Sequence, residues 1–176
     1  MKKLLVQMSG ILVGFASQVG VSMAQQTFDT RPLTGFAEVP AIFSAGSGNF
    51  KITFFGNPAT QLNYQLSFSG LAGGATQGHV HFGRARVAGG VIAFLCSNLG
   101  NAPVGTPICP ASGTVTGSLT SASVVGPAAQ GINPGEFSKL VAAIRAGATY
   151  VCVHSPTFPN GEIRAQIRGG NGGNDD

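Results

Sequence analysis

Asn49-Phe50-Lys51-Ile52-Thr53-Phe54, then Gly56-Asn57-Pro58, then Leu62-Asn63-Tyr64-Gln65-Leu66-Ser67-Phe68-Ser69: apolar and polar residues alternate through both runs, and a turn-forming triplet divides them. A side-chain period of two belongs to a β-strand with one face in the core and the other in water. Phe50, Ile52 and Phe54 therefore face inward in the first run, and Leu62, Tyr64, Leu66 and Phe68 in the second. Gly, Asn and Pro between them suit a tight turn, so the pair predicts a hairpin.

Outward from this hairpin the same period recurs at about 33–39, 77–82, 90–95, 112–119, 148–154 and 162–168, which makes about eight strands with turn residues between them. One segment breaks the pattern. At Asn133-Pro134-Gly135-Glu136, Asn suits a helix cap, Pro the first helical position, and Glu can reach back to the cap. Phe137, Leu140, Val141 and Ile144 then form a stripe at helical spacing, and Gly147 stands where a left-handed residue ends a helix. Many short strands with one short helix in a connection predict an all-β fold, a Greek-key antiparallel sandwich or barrel. No internal repeat and no second domain are apparent.

Composition narrows the function. Of 176 residues only 9% are charged, against about 25% in an ordinary globular chain, and 27 are Gly, 12 Phe and none Trp. Such a chain is neither a coiled coil nor a charged disordered tail. The formal charge of +4 drops to +2 once Lys2 and Lys3 are removed with the first 24 residues, and Arg84 with Arg86 is the densest basic pair that remains. A nucleic-acid partner is thereby disfavoured. Lys2-Lys3, an apolar stretch from Leu4 to about Val21, and small residues Ser22 and Ala24 before Gln25 read as a secretory signal over residues 1–24. The stretch is too broken by polar residues for a membrane span, so none is expected after cleavage. Residues 169–176, Gly-Gly-Asn-Gly-Gly-Asn-Asp-Asp, read as a loose tail. The implied location is secreted or periplasmic.

Three cysteines then meet an oxidising compartment: Cys96, Cys109 and Cys152. Cys96 and Cys109 flank a Pro/Gly-rich stretch without periodicity, which a disulfide would staple. Cys152 is left over and reads as a buried apolar thiol. The three histidines all fall in strand-like segments. In Gly78-His79-Val80-His81-Phe82-Gly83 both imidazoles share the face opposite Val80 and Phe82, and in Tyr150-Val151-Cys152-Val153-His154 the outer face carries Tyr150, Cys152 and His154. Glu162, Arg164, Gln166 and Arg168 likewise face out, opposite Ile163, Ala165 and Ile167. If these strands are neighbours, one solvent-facing surface holds three imidazoles, a carboxylate and a guanidinium. An H-x-H pair with a third His suits copper or zinc. A structural role competes with that reading: each imidazole would donate to a carbonyl or carboxylate, and Glu162 would pair with Arg164. Ser155 lies beside His154 instead of opposite it, and no nucleophile elbow is present, so no catalytic residue is assigned.

Gly35-Phe36-Ala37-Glu38-Val39-Pro40, Gly46-Ser47-Gly48, Leu62-Asn63-Tyr64-Gln65-Leu66, Gly78-His79-Val80-His81-Phe82-Gly83, Tyr150-Val151-Cys152-Val153-His154-Ser155 and Pro159-Asn160-Gly161-Glu162-Ile163-Arg164-Ala165-Gln166-Ile167 together resemble the CHRD domain. That module is repeated in chordin and occurs singly in many secreted bacterial proteins. The resemblance covers about residues 27–168, and the domain is set at 25–168. It implies a secreted β-sandwich, immunoglobulin-like or superoxide-dismutase-like, with Glu38, Glu162 and Arg164 on its motif-bearing polar face; it names no activity. A more distant likeness is to copper/zinc superoxide dismutase, which also carries H-V-H before Phe-Gly. That likeness would match His79, His81 and His154 to three copper ligands and leave Cys152 as a fourth in principle. No further His is present for a bridging ligand, and there is no His/Asp set for zinc.

The function these features favour is a non-enzymatic secreted binding or interaction module, its partner an extracellular or periplasmic protein or small ligand. The alternative is a copper- or zinc-binding protein using His79, His81 and His154.

Overall fold

Residues 25–56 and 58–169 are described by the structure, a computed structural model. The leader read over residues 1–24, Asn57 of the hairpin turn, and residues 170–176 of the tail lie outside the described residues; Gly169, read as the first residue of that tail, is instead the last residue of a strand, paired with Phe28. The strands are β1 (Gln26–Thr30), β2 (Leu33–Thr34), β3 (Ser47–Phe55), β4 (Gln61–Ser69), β5 (Gln77–Phe82), β6 (Val91–Ser97), β7 (Gly113–Leu119), β8 (Thr149–His154) and β9 (Ile163–Gly169), with one helix, α1 (Phe137–Arg145), between β7 and β8. No helix among the described residues is long and apolar enough to cross a membrane.

All pairings are antiparallel, and the sheet runs β6-β5-β8-β9-β1-β3-β4-β7, with the short β2 joining β3 and β9. The chain leaves β6 for β7 at the opposite end of this order and returns through α1 to β8 beside β5, a Greek-key path. The sheet folds over on itself. Tyr64 on β4 donates its hydroxyl to the Leu95 carbonyl on β6 at 2.6 Å, and Gly78 on β5 lies against the Leu66 side chain of β4. The inward residues of the hairpin, Phe50, Ile52, Leu62 and Leu66, are at most 2% exposed, and they meet Val80, Ile92, Val151, Val153, Ile163 and Ile167 from the other half. The all-β sandwich expected from the alternation is the observed fold.

Three local expectations change. There are nine strands, because Gln26–Thr30 pairs with β3 and β9 although Phe28 is its single core residue. The strand expected over 33–39 stops at Thr34, where a 3-10 turn over Gly35–Ala37 begins. There the Gly35 carbonyl accepts the N–H groups of both Glu38 and Ile42, and the loop closes on itself. The helix starts at Phe137 instead of at Pro134, because Gly135 adopts φ +85° and breaks the helical path. Glu136 still reaches back, accepting the Asn133 N–H at 2.7 Å. Gly147 is left-handed, φ +62°, just past the end of the helix.

Candidate functional site

The register of β5, β8 and β9 brings the polar residues together. His79 stands opposite Cys152 and His81 opposite Tyr150, while Cys152 faces Arg164 and Tyr150 faces Gln166 on the next strand. The expected grouping on one face is present, but the expected exposure is not. His79, His81 and His154 are 4%, 8% and 7% exposed, and Cys152, Glu162 and Arg164 no more than 2%. Covering segments lie over this face. The Gly83–Gly89 loop, the turn around Gly35–Glu38 and the Ser155–Gly161 turn each bond to its side chains.

Each imidazole is oriented by a partner. The Nδ1–H groups of His81 and His154 donate to the carbonyls of Gly89 (2.9 Å) and Pro159 (3.0 Å). A carbonyl only accepts, so both rings keep a lone pair at Nε2. The Nε2 of His154 takes a hydrogen bond from Nδ1 of His79 at 3.0 Å, and the lone pair of His79 is then also at Nε2. The Nε2 atoms of His79 and His81 are buried with no hydrogen-bond partner. Burial keeps all three rings neutral: it lowers His79 to about 3, helped by His154 and His81, and His81 to about 4 against the opposing bond to Gly89. His154 is lowered by burial too.

The donor atoms of the three rings all lie within 4.8 Å of one another. Two nitrogens on one copper or zinc ion, each at about 2.0–2.1 Å, are between about 2.9 and 4.1 Å apart according to their angle. The Nδ1 of His79 and the Nε2 of His154, 3.0 Å apart, are already in that range, and the proton His79 now donates would have to pass from Nδ1 to Nε2 for both to face an ion. The third ring would close by less than about 1 Å. The residues fit such an ion: three neutral imidazoles, two of them fixed from behind by carbonyls, each with a nitrogen close to one of the other two rings.

Around the cluster the other expected residues take different roles. Tyr150 stacks on His81, ring centroids 4.7 Å apart and 7° from parallel, and the Arg164 guanidinium sits 3.4 Å from the Tyr150 centroid, within electrostatic reach of Glu38. The pairing expected between Glu162 and Arg164 is absent. Glu162 accepts from the Ala72 N–H and the Ser44 hydroxyl, and Arg164 donates from Nη2 to the carbonyls of Arg84 and Val87. Cys152 is an unpaired buried thiol that donates to Glu38 at 3.1 Å. Burial and the neighbouring Glu38 carboxylate raise it well above its ordinary range, and burial raises Glu38. A thiol in this state is a poor nucleophile and a poor ligand. Cys96 and Cys109 form a disulfide.

Sequence reasoning missed the carbonyls of Gly89 and Pro159, since every residue carries one. It also missed Phe94, whose ring packs edge-on against His79 at 4.5 Å.

Comparison with known proteins gives one family: the CHRD domain model matches residues 30–167. No curated protein and no solved structure matches the chain.

Proposed function

The chain belongs to the CHRD-domain family, and we propose that here the domain is an exported binding module whose ligand is a copper or zinc ion held by His79, His81 and His154. One observation carries this reading: the Nε2 atoms of His79 and His81 are buried with no partner, so that His81 has a lone pair free for an ion and His79 has a free nitrogen to take the proton its Nδ1 would give up. Histidines kept only for structure satisfy both nitrogens, because an orphaned buried acceptor costs about 1–3 kcal/mol. The hydrogen-bonding half of the structural role is met at Nδ1; the other half points to a ligand.

The chain's residues would act in three ways. The carbonyls of Gly89 and Pro159 hold the Nδ1 protons of His81 and His154, so that Nε2 is offered without rotation of the ring. Burial keeps the rings unprotonated at neutral pH, and at His81 and His154 no proton need leave the nitrogen that binds. Phe94 and Tyr150 flank the rings and limit water. A bound copper ion would supply one-electron chemistry and a zinc ion Lewis acidity. Removal of residues 1–24 on export is part of the same proposal, supported by the disulfide in the domain.

The test is elemental analysis of untagged protein recovered from the exported fraction, with its N terminus at Gln25, after exposure to copper or zinc. We expect about one ion per chain, its loss in His81→Gln, and a melting temperature that climbs with metal for the native chain alone. At a free metal concentration about 100-fold above Kd the stabilisation is about 2.7 kcal/mol. Substoichiometric metal in the native chain, or equal retention by folded His81→Gln, would overturn the reading.

A further inference from the structure

Four of the six arginines of the chain, Arg31, Arg86, Arg164 and Arg168, line one cleft of about 340 Å3 beside the imidazole cluster. We propose that this cleft is a second binding site, for a small organic oxyanion, a carboxylate or phosphate ester with an apolar body. The proposal does not depend on the metal reading, since none of the three histidines lines the cleft.

Charge is the first argument. The single ion pair among the described residues joins Lys139 to Glu136, away from the cleft, so none of the four guanidinium groups is paired with a carboxylate of the described residues. Glu38 is the one acid in the lining; it feels the charge of Arg164 without an ion-pair contact and offsets at most one of the four positive charges. Asp29 stands opposite Arg168 in the β1–β9 ladder but does not line the cleft. Like charges gathered round a concave surface focus a positive potential and raise the local concentration of anions.

Arg164 is the second argument. It is 2% exposed, yet both of its protein hydrogen bonds leave from Nη2, and among the described residues Nη1 and Nε have no acceptor. A buried guanidinium with part of its fork unused, in the wall of a cleft, is a ready partner for a carboxylate or phosphate. The same Nη2 clasps the carbonyls of Arg84 and Val87 on either side of Arg86, whose φ of +64° is uncommon for a residue with a side chain. Arg164 thus anchors the loop whose tip brings Arg86 to the rim. Backbone held in this region against its preference is found at ligand clamps.

An apolar residue in the lining decides the ligand's body. Phe36 is 69% exposed, edge-on to Phe43. An aromatic or aliphatic group attached to the oxyanion would cover Phe36, and the cleft is within the size range of small-molecule pockets.

The experiment uses metal-free protein and calorimetric titration with phenyl phosphate, benzoate, inorganic phosphate and neutral benzyl alcohol. At least one aromatic anion should bind, about tenfold or more tighter than inorganic phosphate, with benzyl alcohol silent. Which aromatic anion binds tighter identifies the head group. Arg86→Gly should weaken that binding about tenfold without lowering the urea midpoint, because glycine is at ease at this φ. Arg168→Ala should weaken it too, and Lys139→Ala should not. No binding of either aromatic anion at millimolar concentration, equal binding of benzyl alcohol, or undiminished binding in both arginine variants would overturn the proposal.

Discussion

Burial makes His79 and His81 bases that cannot take up a proton at the pH where an exposed histidine would. Their folded values, about 3 and about 4, lie below the ordinary 6.5. Between those values and 6.5 the unfolded chain binds protons that the folded chain refuses, so this contribution to stability is full above about pH 6.5 and is lost as pH falls. Glu38, raised by burial, acts in reverse just above its ordinary 4.5, but it is one group against the histidines. Metal-free protein should therefore lose stability from pH 7 to pH 5 by up to about 1.4 kcal/mol per pH unit for each buried histidine. Urea midpoints across that range measure it, and His81→Gln should flatten the slope; a pH-independent midpoint would mean the rings are solvated. Period-two reading placed these residues on one face correctly, and it assigned that face to water by default. What covers it comes from contacts that no local pattern encodes, such as Gly89 on His81 eight residues away, or Ser44 on Glu162 across 118 residues.

Among the elements, the segment between Cys96 and Cys109 depends most on side chains for its shape. Besides the backbone bond from Ser97 N–H to the Pro107 carbonyl, its ties run through Asn98, whose amide donates to the carbonyls of Ala75 and Cys109 and accepts the Cys109 N–H, each at 3.0 Å. The disulfide closes a loop with a sequence separation of 13, for which chain entropy gives about 3 kcal/mol. Cys96→Ala with Cys109→Ala should lower the unfolding free energy by about that much, and Asn98→Ala by about 1–2 kcal/mol, in urea titrations. A double variant as stable as the native chain would place the order of the loop in its hydrogen bonds. The staple was legible because a Pro/Gly-rich stretch between two cysteines has no periodicity that would order it as a strand or helix. Strands with three or more alternating apolar residues were legible too. β1 was not, since Phe28 alone marks its core face, and the late helix start was not, since Pro134 and Glu136 fit a capping pattern that the φ of Gly135 overrides.

At the scale of the molecule, a sheet folded over on itself needs more than its apolar core to hold its halves in register, and polar ties supply the rest. Tyr64 ties β4 to β6 through the Leu95 carbonyl. Glu162 does the corresponding work between the start of β9 and the segments flanking β3 and β4. It is fully buried, and its oxygens receive the Ala72 N–H at 3.1 Å and the Ser44 hydroxyl. No cation pairs with it among the described residues. Its acceptors meet only donors, so each substitution has a definite cost. Glu162→Ala strands the Ala72 N–H and the Ser44 hydroxyl in the interior, and Glu162→Gln turns one acceptor into a donor facing donors. Hydrogen bonds to a buried charged group are worth about 1.5–3 kcal/mol each, and both variants should lose about 3 kcal/mol in urea unfolding. The loss should appear in one cooperative transition, because the sheet is continuous from β6 to β7 and neither half has a core of its own. A loss below about 1 kcal/mol would show that the core alone holds the two halves together. Two resolved transitions would show instead that Glu162 joins units able to fold apart.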